Sequence, residues 1–79
     1  MDGCELRPAY DPGQGTFTIQ LWASGRPAGI HGLREPFKSA DECVRTLDAF
    51  LVRYGLRSTN GSEKAHLLGA LLHCARTAG

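Results

Sequence analysis

Residues 15–24, GTFTIQLWAS, decide the fold of this chain. Phe17, Ile19 and Leu21 alternate with Thr16, Thr18, Gln20 and Trp22. That period of two predicts a strand over 16–23 that buries one row of side chains and presents the other. The single tryptophan falls in the polar row. On both sides the sequence is dense in turn formers, DPGQG before and SGRPAG after, so the strand is bracketed by reversals of the chain. Upstream, residues 5–10 pair back as an antiparallel strand, with Pro8 confining it to an edge or a bulge because it lacks an N–H. Downstream, residues 29–34 carry Ile30 and give a third short strand, although two glycines leave the sheet at two or three strands.

Beyond the sheet lies the strongest periodic signal. In KSADECVRTLDAFLVRYGL the positions Ala40, Cys43, Val44, Leu47, Phe50, Leu51 and Tyr54 follow the i, i+3, i+4, i+7 rule and make one apolar stripe. Ser39 with Glu42 forms a capping box, and Asp41 and Glu42 put negative charge in the first turn while Arg53 puts positive charge in the last. Gly55 suits the left-handed C′ position, which folds Leu56 back on Leu51. The expected helix spans 40–54. After the polar joint RSTNGS a second helix is expected over 63–76, burying Leu67, Leu68, Leu71, Leu72 and Ala75 and turning His66, Gly69, Ala70 and His73 away. Gly69 costs about 1 kcal/mol relative to alanine in a helix interior. A close approach by another backbone, in this chain or a second copy, would offset it. The whole predicts one α+β domain over 1–79: a small antiparallel sheet of two or three strands packed on a central amphipathic helix, followed by a second helix.

Composition narrows the function classes. Hydrophobic residues make up 42% of the 79 positions and charged residues 22%, values of an ordinary folded domain. Nine Lys+Arg against eight Asp+Glu give +1, with neither sign gathered into a block, so any electrostatic function must come from local patches. Cys4, Cys43 and Cys74 are an odd set with no C-x-x-C spacing, which points to a reducing cytosol rather than a disulfide framework. The start MDGCELRPAY has neither the basic nor the apolar part of a signal peptide, and no apolar run approaches the ~20 residues of a membrane span. The expected location is the bacterial cytosol, with no membrane partner.

Chemistry finds little purchase. His73 and Cys74 are neighbours on a helix and point about 100° apart, which does not make a nucleophile–base pair. No G-x-S-x-G or S-x-x-K pattern occurs, and Glu63 with His66 reads as a solvated helix face. His66 and His73 are separated by about 10.5 Å of helical rise, too far to bind one zinc ion. The loop PGQG leads into a strand, whereas phosphate-cradling loops lead into a helix N-terminus. The expectation is a non-catalytic protein without metal or cofactor.

Two binding classes remain. A small sheet backed by a helix can enter the DNA major groove, as in a sheet-based DNA-binding module or phage transcriptional regulator. That use asks for Arg or Lys in the outward row, where this chain has Thr16, Thr18, Gln20 and Trp22, with Arg7, Arg26 and Arg34 on flanking segments. Protein binding asks for less: Trp22 serves as an anchor with a rim of Thr18, Gln20, Arg26 and Arg34. The competing reading has Trp22 curl over the sheet edge or contact the N-terminal segment, covered by Tyr10. A second candidate surface is the outer column Asp41, Arg45, Asp48, with Glu42 beside it.

A very short cytosolic chain, read as a whole protein, with a capped helix, a small sheet and surfaces suited to binding, resembles the anti-CRISPR proteins of phages and mobile elements. The Ala-, Gly-, Arg- and Leu-rich wording of GTFTIQLWASGRPAGIHGLREPFKSADECVRTLDAF suggests a GC-rich bacterial host and a similarity to inhibitors of type I-C systems. The resemblance implies stoichiometric binding to the crRNA-guided surveillance complex (Cascade) and a block on its recruitment of target DNA. Those families share no motif, so no functional residue carries over. A chain occupying a DNA path would need a local acidic patch, for which Asp41, Glu42 and Asp48 are the candidates, with Glu35 as neighbour. A homodimer is the remaining expectation.

Overall fold

The computed structural model describes residues 3–78. Three antiparallel strands, β1 (Cys4–Asp11), β2 (Thr16–Ala23) and β3 (Arg26–His31), form a sheet in the order β1-β2-β3. They are followed by α1 (Ala40–Arg45), α2 (Leu47–Val52) and α3 (Gly61–Ala78). The class is α+β, as the alternation and the helical stripe require.

Register fixes which residues share a face. Leu6, Pro8 and Tyr10 of β1 stand opposite Leu21, Ile19 and Phe17, on the buried side. Pro8 is accommodated because β1 is an edge strand. Between β2 and β3 the turn has only two residues, Ser24 (φ 53) and Gly25 (φ 77), both left-handed as a type I′ hairpin turn demands. Pairing therefore resumes at Arg26 and runs to His31. The third strand is displaced from the expected 29–34 for that reason, and 32–34 lie outside it. A bulge opposite Leu21 and Trp22 lets Pro27 enter the ladder. The excursion 32–36 then returns at Phe37, which bridges to Phe17 through two backbone hydrogen bonds of 2.6 and 3.1 Å.

The helical stripe is buried nearly as written. Ala40, Cys43, Val44, Leu47, Phe50 and Leu51 join Phe17, Ile19 and Leu21 in one core, and only Tyr54 emerges, 45% exposed. The expected single helix over 40–54 is interrupted at Thr46. Its hydroxyl donates back to the Glu42 and Cys43 carbonyls at 2.9 and 3.4 Å, a local bond that competes with the helical ladder. Ser39 caps α1 by accepting from Glu42 N at 3.3 Å. Beyond α2, Gly55 (φ 71) sets a Schellman closure: Leu56 N donates to Leu51 O at 3.1 Å and Gly55 N to Val52 O at 3.0 Å.

α3 starts at Gly61, earlier than the expected 63, because Asn60 forms a capping box with Glu63. Asn60 Oδ1 accepts from Glu63 N at 2.8 Å while Glu63 Oε1 accepts from Asn60 N at 3.0 Å. That backbone bond is the main reason the Glu63 carboxyl is held below its ordinary value. Leu67 and Leu71 enter the core, but Leu72 does not, being 46% exposed. It stands about 100° around the helix from Leu71, beyond the arc that faces the sheet. β1 rests chiefly on α3 and β2 on α1, so both helical segments share the sheet rather than one central helix carrying it.

Among the described residues no backbone approaches Gly69; a Cβ there would meet nothing within 4 Å. Gly69→Ala should therefore raise the unfolding free energy by about 0.5–1 kcal/mol, read from the urea midpoint. A lowered midpoint would reveal a neighbour against this face of α3.

Candidate functional site

All three helices send their buried residues into the core on one side of the sheet. The reverse side carries Glu5, Arg7 and Ala9 from β1, Thr18, Gln20 and Trp22 from β2, and Ile30 from β3, each placed there by the register pairs Glu5–Trp22, Arg7–Gln20, Ala9–Thr18 and Gln20–Ile30. Thr16, at the turn end, is buried and contributes nothing to this face.

Trp22 is half-buried and rests against the N-terminal strand, as the competing reading had it, but Tyr10 does not cover it. Tyr10 instead packs on Phe17, with ring centroids 4.9 Å apart, on the core side. The indole Nε1 donates to Gln20 Oε1 at 3.0 Å, and the Arg7 guanidinium lies 3.9 Å from the indole centroid. Arg7 is itself ion-paired with Glu5. A stack of this kind at an exposed site contributes about 0.5–1 kcal/mol. It holds the ring in one pose, so little side-chain entropy would be lost on docking. The guanidinium and carboxylate neutralise each other, leaving a net-neutral platform with an apolar centre.

The other anticipated residues are dispersed. Gln20 lies beside Trp22, and Thr18 is on the same face two places further along the row, opposite Ala9. Arg26 pairs with Ala23 and so belongs to the row of Leu21, exposed at the hairpin end, not to the rim of Trp22. Asp41 and Glu42 are exposed in the first turn of α1, and Asp41 accepts from Arg45 Nε at 2.7 Å. Asp48 is half-buried and paired rather than a free surface acid. The break at Thr46 separates it from the column, and its carboxylate accepts from Thr59 N and Oγ1, both at 2.8 Å, and from Lys64 Nζ at 2.9 Å. Lys64 in particular, with the Thr59 N–H, holds the Asp48 carboxyl below its ordinary value. Glu35 lies on the 32–36 excursion beside Arg34, apart from the first turn of α1. Neither the basic surround of Trp22 nor a continuous acidic patch is assembled: Arg7 is paired with Glu5, and Arg34 lines a different groove.

Sequence reasoning put Arg7 only on a flanking segment and Ile30 only on a third strand, without assigning either to this face, and missed Glu5. Register was the missing signal: the DPGQG hairpin sets Arg7 opposite Gln20, and nothing in the local pattern of β1 distinguishes that register from its neighbours.

Two buried groups have a structural reading. Burial pushes the Cys43 thiol up to about 12, so it stays protonated at neutral pH. His31 is buried, with Nε2 3.0 Å from both Cys43 O and Thr46 Oγ1. Desolvation outweighs the Cys43 hydrogen bond, and the charge of Arg53 adds to it, so the His31 pKa falls below 6.5. In the interval between the folded and unfolded values the unfolded chain binds more protons, and stability rises with pH. Unfolding free energy measured in urea should therefore fall as pH drops from about 7.5 to about 5.5, and His31→Gln should flatten that slope. An unchanged slope in His31→Gln would assign the effect elsewhere.

Among the described residues no three His, Cys, Asp or Glu side chains gather as a metal site, and no helix is long and apolar enough to cross a membrane. No protein-family model, curated protein or solved structure matches this chain.

Proposed function

We propose that this chain is a non-catalytic binding protein that docks on a protein partner through the uncovered face of its sheet, with Trp22 as the anchor. The observation that carries this reading is the fixed pose of Trp22, held by Arg7 and Gln20 on a face that none of the chain's own helices cover. Tryptophan and arginine are the side chains most enriched at interface hot spots, and Glu5, Thr18 and Gln20 supply a polar rim. The partner proposed is a type I-C crRNA-guided surveillance complex, whose recruitment of target DNA the bound protein would block. The resemblance in size and style to anti-CRISPR proteins supports that choice of target.

The test is retention of purified surveillance complex on the immobilised protein, followed by capture of target DNA by the retained complex. Retention with loss of DNA capture is expected. Trp22→Ala should weaken retention at least tenfold, about 1.4 kcal/mol, while shifting the urea midpoint little. No retention, with DNA capture unaffected, would reject the inhibitor reading. If the isolated protein instead bound generic DNA with a steep dependence on salt, the sheet-based DNA-binding reading would replace it.

A further inference from the structure

A second surface stands apart from the sheet platform. The excursion 32–36 leaves β3 at Gly32 and is tied back to β2 at Phe37, so both of its ends are anchored on the sheet. Between it and the end of α2 runs an open groove of about 830 Å³. Its floor is aromatic: His31 stacks on Phe37 and Phe50 at 4.7 and 5.1 Å, and Phe50 on Tyr54 at 5.0 Å. Leu33 stands at its mouth, 67% exposed, the most exposed large hydrophobic side chain among the described residues.

Charge on this groove is one-sided. Arg34 and Arg53 both line it, and neither has a carboxylate partner among the described residues, whereas Arg7, Arg45, Arg57 and Lys64 are all ion-paired. The Arg53 guanidinium lies 5.7 Å from the Phe50 ring centroid, over the floor. Glu35 is the single acid on the rim.

The groove also offers an acceptor. Cys43 O can only accept, so the His31 Nε2 beside it carries the proton and Nδ1 holds a lone pair. Among the described residues Nδ1 has no hydrogen-bond partner and no buried polar side-chain atom is left unsatisfied, so Nδ1 keeps access to solvent. The low pKa of the ring keeps that lone pair available at neutral pH.

We propose that this groove binds an acidic peptide segment, seating one apolar side chain on the Phe37–Phe50–Tyr54 floor, its flanking carboxylates on Arg34 and Arg53, and a backbone N–H on His31 Nδ1. Charge complementarity selects the occupant. A nucleic-acid strand carries a phosphate at every step and is met by a row of cations; two arginines beside a single acid match the spaced charges of a peptide better. Guanidinium forks bind carboxylates bidentately, and the aromatic floor gives the apolar residue its pocket.

The probe is a blocked pentapeptide, Asp-Asp-Phe-Asp-Asp, titrated into isotope-labelled protein and followed by amide shifts, beside its lysine counterpart and a thymidine oligonucleotide. The acidic peptide should shift amides within 30–37 and 50–54 with a dissociation constant near or below about 1 mM. The lysine peptide should bind at least tenfold more weakly. Both arginines are on the surface, so the double variant Arg34→Ala, Arg53→Ala should keep its fold and lose at least tenfold in affinity. Arg53→Glu should reverse the preference between the two peptides. No shift in the groove, equal affinity for the two peptides, or tighter binding of the oligonucleotide at the same amides would each overturn the proposal.

Discussion

Leu71→Ala should remove about 3–5 kcal/mol of stability, enough to leave the protein largely unfolded at room temperature or within easy reach of it. Leu71 is fully buried on α3. Truncating such a leucine loses its transfer energy and leaves a cavity, a combined cost of about 3–5 kcal/mol. A domain of this length has only about 4–12 kcal/mol in total. Alanine is a better helix former than leucine, so the loss cannot be assigned to α3 itself. The next residue supplies the control: Leu72→Ala deletes the same atoms from a side chain 46% exposed and should cost less than about 1 kcal/mol. Urea unfolding of the pair reads the difference directly. Equal losses would mean that α3 packs on the sheet by a different face.

Asp48→Ala is the second large effect, about 2–3 kcal/mol. The substitution deletes the acceptor of three hydrogen bonds and leaves the buried Thr59 hydroxyl, its N–H and the Lys64 ammonium to find others. Each orphaned buried group costs about 1–3 kcal/mol. The sum is reduced because the side chains of Lys64 and Asp48 are 34% and 30% exposed, and water recovers part of it. Asp48→Asn keeps one oxygen for Thr59 and should lose about half as much. The pH dependence identifies the group. The folded pKa lies below the unfolded 3.8, so the contribution is complete above 3.8 and is lost as pH falls through the folded value. Asp48→Ala should consequently show a shallower acid limb below about pH 4 than the wild type. The loss on the His31 limb, which begins near 6.5, should be unaltered in that variant, and the two limbs thus separate by position.

Asp48 also marks where local pattern misleads. On a continuous helix it would stand one turn from Arg45 in a solvated column. The back-bonding hydroxyl of Thr46 breaks the helix, and a residue that reads as surface charge becomes the clasp between α2 and the start of α3. Its partners Thr59 and Lys64 lie 11 and 16 residues downstream, where no short-range rule reaches. Arg7 fails for a related reason: its stack on Trp22 depends on strand register, which one added or deleted turn residue would reverse.

Phe17, Ile19 and Leu21 declared by their spacing which side of β2 is wet, because strand geometry fixes alternation without reference to anything else in the chain. The stripe from Ala40 to Leu51 and the glycine closure at Gly55 were likewise local properties, set by helical period and one left-handed residue. Sequence alone thus determined an α+β domain with one greasy side to its sheet. Tertiary structure decided what the two candidate surfaces contain, Arg7 over Trp22 on one and, on the other, Arg34 and Arg53, without ion-pair partners among the described residues, around an aromatic floor; it also made the clasp of Asp48. Those arrangements join side chains from separate elements, and their energies of a few tenths to a few kcal/mol depend on angstrom-scale separations that periodicity does not encode.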